Sequence, residues 1–203
     1  MNTKSWNSVL AAFVVSALSG GFSGGCLDDK VVELVATGET AADFAQNETN
    51  SSWTKSATLD VGEQVRDILN DNGYDDSDIK SAHMTSVHYG VSSFSQDHDW
   101  DISGSIQVTY NGNEQPLMSY VSQSVQGALG KKIPATLHSQ GVDLINQALA
   151  DFVSGQNPVL TFTINNLGTA PTPTALDPMI FDWRAWLAIQ VILNEEVTVP
   201  DPF

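Results

Sequence analysis

The chain has 203 residues, 41% of them hydrophobic, and sets 24 Asp and Glu against 8 Lys and Arg for a formal net charge of −16. A surface so acidic repels phosphate backbones and anionic lipid headgroups, which excludes a nucleic-acid role. The length suits one domain with one core, and the single cysteine excludes an internal disulfide framework.

The chain opens with Lys4 as the only charged residue before Cys26. An apolar run follows from Val9 to Leu18, and then a small, glycine-rich tail ending Ser23-Gly24-Gly25-Cys26. The run is too short to span a bilayer, which takes about 20 apolar residues. It has the length of a secretory h-region. This end resembles bacterial lipoprotein precursors, in which small residues precede an acylated cysteine. Gly24 and Gly25 fit that pattern. Ser23 stands where the family usually has Leu, and a plain secretory cut after Ser19 is the rival reading. The resemblance implies a signal peptide over residues 1–25, a lipidated Cys26 with a short tether over 26–29, and a globular domain over 30–203. Leu27, where inner-membrane lipoproteins carry Asp, points by the same resemblance to the outer membrane. Cleavage before Cys26 removes Lys4 alone among charged residues and leaves 178 residues at −17. Two or more acyl chains, at about 0.8 kcal/mol per buried CH₂, would hold such a chain stably in the membrane.

The β-branched run over residues 30–37 predicts a first strand and the polar stretch 38–52 a loop. Residues 53–59 predict a second strand. Asp60, with Glu63 three positions on, predicts a helix start. Val61, Val65, Ile68 and Leu69 then fall on one helical face, and Gly73 marks the stop. An acidic turn follows, with Asp71, Asp75, Asp76 and Asp78. Residues 79–93 alternate, placing His83, Thr85, Val87, Tyr89 and Val91 on one side. Residues 99–110 alternate more cleanly, with Trp100, Ile102, Ile106, Val108 and Tyr110 facing one way. Asn111-Gly112 predicts a tight hairpin, and 117–125 the returning strand.

After Pro134 the period changes to that of a helix carrying Leu144, Ile145, Ala148, Leu149 and Phe152, closed by Gly155 and Pro158. Residues 159–164 return to strand, and 169–178 form a Pro/Thr-rich loop. Over 181–199, Trp183, Leu187, Ile189, Val191 and Leu193 alternate and favour a strand over a helix. Trp183 and Trp186 differ by an odd number, so only one of them faces the core. The order predicts an α+β fold, mainly antiparallel sheet or a small β-sandwich, with two amphipathic helices covering one face or one end.

Chemistry is sparse. The one GxSxG pattern, residues 21–25, lies in the leader and not between a strand and a helix. His83 and His88 point to opposite faces of a regular strand and cannot share a metal without a bulge. Asp97, Asp99 and Asp101 share a face if extended, which makes them the calcium candidates. They lack the EF-hand glycine and terminal Glu, so the pattern favours solvated loop carboxylates. No motif calls for a cofactor. The leading expectation is a non-catalytic envelope lipoprotein that binds or scaffolds a protein or surface component. The alternative is a carrier of a lipid or other apolar ligand. The helix around residues 142–153 between alternating strands loosely resembles small envelope lipoproteins whose curved sheet wraps a helix around a lipid groove. That resemblance carries over no residues.

Overall fold

The computed structural model describes residues 29–75 and 79–198. In chain order they form β1 (Asp29–Glu48), β2 (Trp53–Asp60), α1 (Val61–Asp71), β3 (Ile79–Phe94), β4 (Asp101–Tyr110), β5 (Asn113–Ser124), α2 (Val125–Ala128), β6 (Ile133–Pro134), α3 (Ser139–Val153), β7 (Val159–Ala170) and β8 (Met179–Thr198). The architecture is α+β. Two four-stranded antiparallel sheets, ordered β1-β8-β3-β6 and β2-β7-β4-β5, make a sandwich.

The spine of the first sheet is the pairing of β1 with β8, continuous from Asp29↔Thr198 to Glu48↔Met179 without a register shift. β8 earns this length through strict alternation: Phe181, Trp183, Ala185, Leu187, Ile189, Val191 and Leu193 are all buried on one face. The strand expected there is confirmed, and it begins two residues earlier, at Met179. Trp183 faces the core and Trp186 the outside.

The loop expected over residues 38–52 is corrected: β1 runs on to Glu48. Its inward row here is Ala36, Gly38, Thr40 and Ala42, too small and polar to announce a buried strand. The row is small because α1 lies directly on it. A Cβ on Gly38 would stand 2.5 Å from the Ile68 side chain. The Thr40 hydroxyl donates to the Gln64 side chain at 2.5 Å.

α1 starts, and α1 and α3 stop, as the sequence predicts; α3 begins at Ser139, ahead of the expected Val142. The Asp60 carboxylate accepts the Glu63 N–H at 3.0 Å, and Gly73 adopts φ +80° just beyond α1. Gly155 does the same after α3, at φ +89°. The helices pack on the sheets as expected, and each bridges the two. α1 touches β1 and β8 of one sheet and β2 of the other, and α3 touches β3 on one side and β4 and β5 on the other. The helices therefore lie between the sheets. They occupy the half near Leu187 and Ile189, the β8 partners of Thr40 and Gly38. Beyond them the sheets meet directly: the Trp183 ring lies 5.2 Å from Tyr120 across the sandwich and 5.3 Å from Tyr89. Trp100, Phe44, Phe162 and Phe181 are also fully buried.

β4 and β5 close around Asn111 and Gly112, both at positive φ, 49° and 78°, as a two-residue hairpin of this sequence requires. β7 extends to Ala170, so the Pro/Thr-rich loop starts later than expected. The short α2 and β6 had no periodic signal to reveal them.

Candidate functional site

The three calcium candidates are not gathered. Residues 95–100 are not strand, so the alternation that would align them is absent. Asp97 and Asp101 are exposed. Asp99 is committed to structure. Its carboxylate accepts the Ser124 hydroxyl at 2.5 Å, the Gln126 N–H at 2.7 Å and the Trp100 N–H at 2.8 Å, tying the β3–β4 connection to the start of α2. Among the described residues no group of three or more His, Cys, Asp or Glu comes together to hold a metal ion.

Burial pushes the Asp99 carboxyl up, but the Ser124 hydroxyl and the N–H groups of Gln126, Trp100 and Val125 outweigh it and hold it below the ordinary value. A carboxylate depressed in the folded state stabilises above its unfolded pKa, about 3.9, and that stabilisation is lost as pH falls through the folded value. Asp99→Asn is expected to cost about 1 kcal/mol at neutral pH, the scale of a lost helix-cap interaction. At pH 3, below the unfolded pKa, the gap between variant and parent should be smaller than at neutral pH. Urea denaturation at the two pH values measures the difference.

The histidines stay dispersed. A register shift between Met84 and Ser86 puts His83 opposite Gln190 and His88 opposite Trp186. Both therefore lie on the outer face, correcting the expectation of opposite faces for a regular strand. Four residues of β8 separate their partners, roughly 13 Å, so they do not share a ligand. His98 Nε2 lies 3.3 Å from Asp177 Oδ2, with its ring against Trp100 at 4.5 Å. His138 precedes α3 and is exposed. In the acidic turn, Asp71 and Asp75 are exposed, while Asp76 and Asp78 lie outside the described residues. Cys26 lies outside them too.

The most developed surface centres on Trp186, on the outer face of the β1-β8-β3-β6 sheet. It stands between Ala41 of β1 and His88 of β3. The Lys132 ammonium lies 5.4 Å and the Arg184 guanidinium 5.9 Å from the ring centroid, within cation–π range. Lys132 pairs with Glu39. Arg184 makes a two-pronged contact with Asp43, Nε–Oδ1 at 2.5 Å and Nη2–Oδ2 at 2.9 Å. An aromatic face rimmed by charged donors and acceptors is suited to holding a partner. The sequence marked Trp186 only by its parity with Trp183. Lys132 lies far from it along the chain, so no local pattern could have joined them.

A second feature is a half-open cavity of about 250 Å³ between α1 and the α3–β7 connection, walled by Arg66, Ile79, Phe152, Gln156 and Asn157 among others. The Arg66 guanidinium lies 5.2 Å from the Phe152 ring. No described helix is long and apolar enough to cross a membrane. No protein-family model matches the chain, and a search of curated proteins found no match either.

Proposed function

We propose that this chain is an exported envelope lipoprotein, acylated at Cys26, whose globular part is a non-catalytic binding or scaffold domain. The leader with its Gly24-Gly25-Cys26 junction supports the anchor. β1 starts at Asp29, so the tether would be only a few residues long and the domain would sit against the bilayer. Leu27 after the cysteine favours the outer membrane. The partner would be an envelope protein or a surface component, met through a face such as that around Trp186.

The observation that carries a binding module over a carrier is the filled interior. Two helices and the side chains of Trp100, Trp183, Phe44, Phe162 and Phe181 occupy the space between the sheets. An apolar carrier needs an elongated cavity there, typically several hundred Å³. The carrier reading draws on the cavity beside Phe152, whose walls include Ile79 and Val153. Native mass spectrometry of the protein extracted from membranes separates the two. The scaffold reading expects the acylated chain with no further lipid. A stoichiometric non-covalent lipid would overturn it in favour of the carrier.

A further inference from the structure

Three ion pairs lie on the outer face of the β1-β8-β3-β6 sheet, and all three run the same way. Their carboxylates, Glu33, Glu39 and Asp43, stand on β1. Their cations stand on β8 or beyond it: Arg184 on β8, Lys80 at the start of β3, and Lys132 just ahead of β6. Lys131, exposed, is Lys132's neighbour. Four of the six Lys and Arg between residues 33 and 194 are thus Lys80, Lys131, Lys132 and Arg184, in a chain of net charge −16. The face has an acidic stripe on β1, a basic stripe of Lys80, Lys131 and Lys132 beyond β8, and on the seam β8 itself, with Trp186, Arg184 and Asp182.

That pattern is self-complementary. A two-fold axis lying in the face and parallel to β8 turns one copy onto another while exchanging the stripes. The β1 carboxylates of each copy then lie over the other copy's Lys80, Lys131 and Lys132, while the β8 residues, Trp186 and the Asp43- and Asp182-flanked Arg184, approach their own counterparts. An axis across the strands would instead set like charge on like. We propose that this face is an isologous homodimer interface about the first axis. The proposal goes beyond the Cys26 anchor and does not depend on it.

The size fits. β1 and β8 are 20 residues each. At about 3.3 Å per residue and 4.8 Å between strands, three strands offer on the order of 900 Å². A standard interface takes about 800 Å² from each partner. Ala41 and Ala188 beside Trp186 keep the middle of the face low, and Val35, Ile180 and Ile192 supply apolar contact between the charges. Ile180 is 43% exposed in the single chain. In the dimer each carboxylate gains a second cation, so association weakens with added salt.

The test uses the full chain carrying Cys26→Ala, so that acyl chains play no part in association. Sedimentation equilibrium is expected to show a dimer for this parent. Reversal of the basic stripe (Lys80→Glu, Lys131→Glu, Lys132→Glu) and reversal of the acidic stripe (Glu33→Lys, Glu39→Lys, Asp43→Lys) should each give a monomer. An equal mixture of the two should recover a dimer. Circular dichroism checks that both variants fold. Should either fail to fold, Ala188→Cys in the same parent provides a second test. Stacked sheets lie about 10 Å apart, so a short bismaleimide should link two copies at this site near the axis. The same reagent should leave a Leu176→Cys control, in the loop before β8, unlinked. A monomeric parent overturns the proposal and leaves the face to a partner of another kind. A mixture that stays monomeric, or an Ala188→Cys chain that does not link, also overturns it.

Discussion

Gly104→Ala is expected to destabilise the domain by about 3 kcal/mol, at the upper end of what overpacking a core costs. Gly104 sits in β4 between β5 and β7, opposite Tyr120 on one side and Asn166 on the other. An added Cβ would stand 2.2 Å from the Asn165 carbonyl oxygen and 2.7 Å from the Tyr120 hydroxyl. The carbonyl is backbone in a paired strand and cannot rotate away, so β4 and β7 would have to separate. Tyr120 also fills the space that the missing side chain leaves. Its ring packs on Trp183 and Tyr89, at the end of the sandwich where the sheets touch. Its hydroxyl is buried without a hydrogen-bond partner, and burial pushes its pKa well above the ordinary value.

An unsatisfied buried hydroxyl costs about 1–3 kcal/mol. Tyr120→Phe is therefore expected to be neutral or slightly stabilising, and it should recover part of the loss in Gly104→Ala by removing one of the two clashes. Urea denaturation of the single and double variants reads both effects as shifts in midpoint. A Gly104→Ala chain as stable as the parent would mean that β4 and β7 do not approach as described.

What the sequence revealed and what it hid follow from how each residue is buried. β4 was legible because one whole row, Trp100 to Tyr110, is buried against a polar row. α1 and α3 were legible because Asp60 and the glycines after each helix mark their ends. The far half of β1 was hidden because the helix pressing on it demands Ala, Gly and Thr where a sheet face would carry Val or Ile. β3 was read with the wrong face for His83 and Thr85, because the bulge at Met84–Ser86 changes the parity halfway along. The placement of the helices between the sheets depends on contacts between distant segments, which no local period encodes. The same holds for the outer face. Lys132 meets Glu39, and Lys80 meets Glu33, only because β8 inserts between β1 and β3. Asp99 was read as a calcium candidate or a solvated loop carboxylate; its structural partners, Ser124 and Gln126, lie beyond the β4–β5 hairpin, out of reach of any local pattern.

Cys26 remains the residue on which the functional account turns. As the only cysteine it has no partner within its own chain. In a lipoprotein its thiol becomes the first acyl attachment after export. If Cys26 carries the proposed anchor, its loss would free the domain from the bilayer without touching the core, which begins with β1 three positions later. Cys26→Ala is therefore expected to leave folding intact while moving the protein from the membrane fraction to the soluble envelope or the medium. The most direct measurement is incorporation of labelled palmitate in growing cells. The account predicts label on the parent chain and its complete loss in Cys26→Ala. Label that persists in the variant, or that never appears on the parent, would contradict it and make the domain a free secreted protein.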